Sequence, residues 1–239
     1  MENLLSPISH PLSPISYPSP NYEARTLPVT MLVLHYTETA TDQRALDILT
    51  NPNSPHPVSS HYVVGGDGRI YALVDESMRA HHAGVSYWRG VRDVNSASVG
   101  IEISNRGRDP QGRAIPYDEA QIEVVCALAA DICARHSIAP WNVVGHSDVA
   151  PCRKIDPGEL FPWRRLAARG VGLWTDDFAE PTGIAAEMLA AIGYDVTDET
   201  AALTAFQRHF FPEAILSSDP RTPQRLAAVC KCVPGFIPR

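Results

Sequence analysis

Two stretches of the chain bring together residue types that carry out hydrolysis around a metal ion. Leu34-His35-Tyr36-Thr37 puts a histidine at the end of an apolar run. Gly145-His146-Ser147-Asp148 opens a second stretch in the same way, and this one runs on through Cys152, Arg153 and Lys154 to Asp156-Pro157-Gly158. Two imidazoles and one carboxylate make a hydrolytic zinc set whose fourth position stays open to water. Asp148 and Asp156 are the carboxylates near His146.

Such ligands must be held rigidly and aimed at one point, and strand ends with the loops after them do this well. Val29–Tyr36 is a continuous apolar run short enough for a buried strand, and Trp141–Val144 predicts a second short strand running toward His146. Ser98–Ser104 alternates Val99, Ile101 and Ile103 with Gly100 and Glu102, the pattern of a half-buried strand. His61–Val64 and Arg69–Val74 flank Gly65-Gly66-Asp67-Gly68, a hairpin signal. Asp42–Leu49 and Tyr117–His136 read as helices, the second with Asp118 as its cap, and Gly158–Arg169 predicts a further helix ending at Gly170. The expected fold is mixed α/β, a central mixed β-sheet flanked by helices.

Outside that region the chain changes character. Residues 1–28 form a Pro-rich N-terminal arm with a near-repeat, Leu5-Ser-Pro-Ile-Ser-His-Pro11 and Leu12-Ser-Pro-Ile-Ser-Tyr-Pro18. Such a segment favours extended backbone and is expected along the domain surface. Residues 29–170 form the main domain, residues 171–180 a linker, and residues 181–239 a small three-helix module over Ile184–Ile192, Glu199–Phe210 and Pro223–Cys230.

Bulk properties exclude several classes of function. A net charge of −7 over 239 residues offers no footprint for nucleic acid or an anionic membrane. No apolar run approaches the roughly 20 residues that span a bilayer. The N-terminus carries Pro7, Pro11, Pro14 and Pro18 and lacks the basic and apolar regions of a signal peptide, so a cytoplasmic location is expected, with the periplasm as the alternative. The five cysteines show no CxxC pattern and read as reduced thiols.

The string His146-Ser-Asp-Val-Ala-Pro-Cys-Arg-Lys-Ile-Asp-Pro-Gly158 resembles the zinc motif of the N-acetylmuramoyl-L-alanine amidase 2 family, which is related to peptidoglycan recognition proteins. Leu34-His-Tyr-Thr37, His82-Ala-Gly-Val85 and Ser98-Val-Gly-Ile-Glu-Ile103 resemble the same family in the expected order. The resemblance implies a zinc ion held by His35, His146 and Asp156 rather than Asp148, with Glu102 and Lys154 as the catalytic side chains. It implies cleavage of the amide between the lactyl group of N-acetylmuramic acid and L-Ala of the stem peptide, on a muropeptide or peptidoglycan substrate. Glu102 would shuttle the water proton and Lys154 would stabilise the oxyanion.

Arg153 reads either as a clamp for a substrate carboxylate or as a structural salt-bridge partner. His82 and Tyr36 are expected at the substrate or the groove, while His81 and His61 are expected to be structural. Cys152 departs from the small residue usual in the motif and is expected to be a non-ligand thiol. The C-terminal helices, with Ala205-Phe-Gln-Arg-His-Phe210, resemble peptidoglycan-binding domains more loosely. Recycling of soluble 1,6-anhydro-muropeptides is the expected role. The alternatives are an envelope or phage-type amidase acting on intact wall and a non-catalytic recognition protein.

Overall fold

The computed structural model describes residues 12–234, so the first copy of the Pro-rich repeat lies outside the described residues. In the N-terminal part the elements are β1 (Ile15–Ser16), β2 (Tyr22–Ala24), β3 (Met31–Tyr36), α1 (Asp42–Leu49), β4 (Tyr62–Val64), β5 (Ile70–Ala72) and β6 (Met78–Ala80). The middle contributes α2 (Val94–Ala97), β7 (Ser98–Ile103), α3 (Glu119–His136), β8 (Val143–Gly145), α4 (His146–Val149) and α5 (Trp163–Ala168). Three helices close the chain, α6 (Ala185–Ile192), α7 (Glu199–Phe210) and α8 (Thr222–Lys231).

The fold is mixed α/β. Six strands form one sheet in the order β1-β5-β4-β7-β3-β8, in which only the β4/β5 hairpin pairs antiparallel. β2 and β6 form a separate antiparallel ribbon. Local signals set the element ends. Thr41 caps α1 by accepting from the Arg44 N–H, and Asp118 caps α3 by accepting from the Ala120 N–H. Ser137, in the left-handed region with φ 53°, closes α3 after Arg135 and His136.

Both faces of the main sheet are covered, so β3 reads as an unbroken apolar run instead of an alternation. Leu32, Leu34, Val99, Ile101 and Ile103 pack on one face against Ile122, Val125, Leu128, Ala129 and Ile132 of α3. Met31, Val33 and Val144 face the other way, and their cluster continues without a break into Met188, Leu189, Ile192, Phe206, Phe210 and Leu226 of α6, α7 and α8. The C-terminal helices therefore share a core with the sheet.

Several expected boundaries shift. The Pro-rich segment supplies β1 to the sheet edge and β2 to the ribbon, beyond lying on the surface. The strand expected at Trp141–Val144 is a 3₁₀ turn over Pro140–Asn142 followed by β8, because Pro140 fits the first position of a tight turn. The helix expected at Gly158–Arg169 shrinks to α5, since Gly158 takes a positive φ of 84° and Pro162 precedes the first turn. Residues 171–180, expected as a linker, are anchored at both ends: Val171 is buried with the α3 cluster and the Ala179 N–H donates to Gln224 O.

Candidate metal centre

Three mutually parallel strands deliver the chemistry to one place. In β3 the alternation that sends Met31 and Val33 to one face puts His35 on that face too. In β7, Val99, Ile101 and Ile103 take the α3 side, which leaves Gly100 and Glu102 facing the same way as His35. His35 and Glu102 are direct neighbours in the ladder, and Leu34 pairs with Gly145, the residue before His146. The carboxyl ends of parallel strands are where open α/β sheets place ligands.

The structure brings His35, His146 and Asp156 together in a buried cluster. His35 Nδ1 lies 2.9 Å from His146 Nδ1 and 3.1 Å from Asp156 Oδ2, and His146 Nδ1 lies 3.1 Å from the same oxygen. Ligands at zinc bond lengths of about 2.0–2.1 Å in a tetrahedron stand about 3.3 Å apart, close to this triangle.

Hydrogen bonds at the far side of each ring decide which atoms face the centre. His146 Nε2 lies 3.1 Å from Ala83 O, which only accepts, so the proton sits on Nε2 and Nδ1 presents a lone pair. A longer chain fixes His35. The Ser98 hydroxyl donates its one proton to Val94 O at 2.6 Å, and so accepts from His82 Nε2 at 3.2 Å. His82 Nδ1 is then the acceptor for His35 Nε2–H at 3.0 Å, which leaves the His35 Nδ1 lone pair aimed at His146 and Asp156. Three acceptor atoms thus face one point, an arrangement that calls for a cation.

Electrostatics agree. Burial, aided by His146, pushes His35 down to about 4, so the ring is neutral near pH 7. Burial acts to raise Asp156, but positive charge on the facing His146 and His35 rings outweighs it and holds the carboxyl well below the usual range, the response expected to a cation at that point. Glu102 is driven the opposite way: burial first, then the charge of Asp156, raises it well above an ordinary carboxyl, against the pull of Lys154. Its Oε2 is buried and has no hydrogen-bond partner among the described residues. A cavity of about 190 Å³ is lined by Tyr36, Glu102, His82, His146 and Lys154.

The remaining candidates take varied places. Tyr36 packs its ring over Gly107, where a Cβ would fall 2.8 Å from the ring, and lines the cavity. His82 does not offer a free donor to a substrate; both its nitrogens are engaged and it orients His35. Arg153 makes no salt bridge among the described residues and is not wholly available as a clamp, since Nη2 donates to the carbonyls of Ala83 (3.1 Å) and Val85. His61 is structural as expected, accepting from the Gly100 N–H at 2.9 Å. Cys152 is an exposed thiol outside the ligand cluster. Asp148 is fully buried, with its oxygens taken by Gly145, Tyr194 and His209. Sequence reasoning missed Ser98 and Asn95, whose Oδ1 accepts from the His82 and Ala83 N–H groups at 3.0 and 2.7 Å; polar residues beside a strand carry no signal for such roles.

Parallel strand ends that aim two histidines, with an aspartate from the loop after α4, at one point make a site able to hold a metal ion. The family model described as N-acetylmuramoyl-L-alanine amidase matches residues 25–159, and the chain belongs to that family and is an amidase of that kind. It is 40% identical over 213 residues to N-acetylmuramoyl-L-alanine amidase AmiD of Escherichia coli (strain K12), covering 77% of this chain and 75% of that protein. The solved complex of AmiD with anhydro-N-acetylmuramic acid-L-Ala-D-gamma-Glu-L-Lys superimposes with a TM-score of 0.76 at 37% identity, over 88% of this chain and 92% of that one. AmpDh3 of Pseudomonas aeruginosa, in complex with anhydromuramic pentapeptide, gives a TM-score of 0.71 at 32% identity over 86% and 91%. The 1,6-anhydro-N-acetylmuramyl-L-alanine amidase AmpD of Enterobacter cloacae is 38% identical over 111 residues, covering 46% of this chain and 56% of that protein.

Proposed function

We propose that the chain is a zinc-dependent amidase that separates 1,6-anhydro-N-acetylmuramic acid from the L-Ala of soluble muropeptides, with zinc held by His35, His146 and Asp156. The observation that carries the zinc reading is the convergence of His35 Nδ1, His146 Nδ1 and Asp156 Oδ2, three acceptors within 3.1 Å of one another. The two relatives solved with anhydro-muramyl peptides support the substrate. A zinc ion bound there supplies a Lewis acid that acidifies water and polarises the scissile carbonyl.

The chain's own groups do the rest. Glu102 takes the proton of the attacking water at Oε2, and its raised basicity suits that task. It then returns the proton to the departing α-amine of L-Ala. Lys154, at the same cavity, stabilises the negative charge that develops on the carbonyl oxygen. Tyr36 forms a wall for the substrate, and His82 holds His35 in the tautomer that binds metal. Arg153, exposed on a second groove lined by Val85, Tyr87 and Cys152, offers a cation for a stem-peptide carboxylate.

A recycling role in the cytoplasm is supported by five free thiols, including exposed Cys152 and Cys232. Among the described residues no helix is long and apolar enough to cross a membrane. Purified protein incubated separately with anhydro-muropeptides and with intact sacculi tests the substrate. Release of free stem peptide from anhydro-muropeptides is expected; cleavage of sacculi alone would establish an envelope-type amidase instead.

A further inference from the structure

Asp148 and His209 form a buried pair that joins α7 to the turn carrying His146, and the hydrolysis uses neither. Asp148 is 0% exposed and His209 2%. Asp148 Oδ2 accepts from the Gly145 N–H and from His209 Nδ1, each at 2.7 Å, while Oδ1 accepts from the Tyr194 hydroxyl at 2.7 Å. The His209 ring is stacked between Trp163 (3.7 Å, 19°) and Phe210 (3.9 Å, 2°).

Trp163 reaches the same backbone from another side. A Cβ on Gly145 would sit 3.3 Å from its ring and 2.6 Å from Pro157. His209 therefore bears twice on the residue that precedes His146, through Asp148 and through Trp163. The next residue, Ser147, donates its N–H to Asp156 O at 2.8 Å and so couples this turn to the other ligand loop. A helix as short as α4, four residues, has too few internal hydrogen bonds to hold its own direction. Its direction is set from outside.

We propose that His209, assisted by Tyr194, is a positioning residue of the metal centre: through Asp148 it locks the Gly145–His146 backbone so that His146 Nδ1 faces His35 and Asp156. The C-terminal helices are then part of the frame of the metal site. This rests on the zinc reading of His35, His146 and Asp156 and extends it to residues beyond the ligands and their immediate partners. A ligand carried on a backbone free to shift by a fraction of an ångström binds metal more weakly even when every ligand is present.

The test uses the full chain. His209→Phe keeps an aromatic ring between Trp163 and Phe210 but removes the donor to Asp148. His209→Asn restores an N–H donor near the position of Nδ1. Zinc affinity is measured by competition with a chromophoric chelator, alongside thermal melts of the metal-free proteins. His209→Phe is expected to weaken zinc binding about 10- to 100-fold, and His209→Asn to recover most of that loss. Tyr194→Phe, which removes only a hydroxyl, is expected to shift affinity in the same direction by less.

Zinc affinity within about twofold of the unmodified chain in a cooperatively folded His209→Phe protein would overturn the positioning role. Should that variant not fold, unchanged affinity in Tyr194→Phe overturns it equally. An unmodified chain that binds no zinc would bring down the metal reading itself, a result distinct from tight binding that the variants leave untouched.

Discussion

Gly100→Ala tests how the metal site is built, because the change is a single methyl group away from every ligand. A Cβ there would lie 2.7 Å from His82 Cγ and 2.8 Å from its Nδ1 and Cδ2. Ordinary contacts between such atoms are about 3.5–4.0 Å, so the ring must lift off the sheet by roughly 1 Å. The 3.0 Å hydrogen bond from His35 Nε2 to His82 Nδ1 then stretches toward about 4 Å and ceases to be one. A buried N–H left unpaired costs about 1–3 kcal/mol. With the tautomer of His35 no longer enforced, that cost is shared between stability and metal affinity, the latter falling about 10- to 100-fold. Replacing glycine by alanine inside an element ordinarily stabilises by up to about 1 kcal/mol, so even the sign is distinctive. Chelator competition gives the zinc affinity and circular dichroism gives the melting temperature. A Gly100→Ala protein with unaltered zinc affinity and an equal or higher melting temperature would refute the relay from Ser98 through His82 to His35.

Glu102→Gln keeps shape and volume but cannot take a proton; kcat is expected to fall about 10²–10⁴-fold with bound zinc unchanged, and near-normal kcat would remove Glu102 from the base role. Glu76 lies under Arg135, His136 and Tyr62; burial acts to raise it, but their hydrogen bonds win and lower it from 4.5 to about 2. That depression stabilises the fold above pH 4.5 and is lost as pH falls toward 2. The shift corresponds to about 3 kcal/mol, reduced to about 2 by the solvent exposure of Arg135. In urea titrations Glu76→Gln should therefore be less stable than the unmodified chain by about 2 kcal/mol at pH 7, with the gap closing by pH 2; a constant gap would contradict this. Ending the chain at residue 180 strips Met188, Leu189, Phe206 and Leu226 from the sheet face formed by Met31, Val33 and Val144, so dye binding and no cooperative melt are expected. A soluble, cooperatively melting fragment would show that the two parts fold separately.

Much of the site was legible because its parts lie where hydrophobic pattern and special residues coincide. The buried run ending at His35, the alternation around Glu102 and the Asp156-Pro157-Gly158 turn all survive in the structure at the positions the sequence implies. The hairpin at Gly65–Gly68 and the capped helices α1 and α3 were equally plain, since their signals are local. What stayed hidden depends on partners distant in sequence. β1 and β2 are too short to show a pattern, and exist because β5 and β6 offer them a ladder. His82 gave no sign that it faces inward, because its acceptor role comes from Ser98, 16 residues on. The union of the C-terminal helices with the sheet was also invisible, as an apolar helix face does not reveal which surface it covers.

The most direct measurement is product analysis by mass spectrometry after incubating the purified chain with 1,6-anhydro-N-acetylmuramyl tripeptide, with and without a zinc chelator. The expected result is anhydro-N-acetylmuramic acid and free tripeptide in equal amounts, abolished by the chelator and restored by added zinc. Intact substrate in the presence of zinc, or turnover that the chelator leaves unchanged, would contradict the assignment of His35, His146 and Asp156 as the metal site of this amidase.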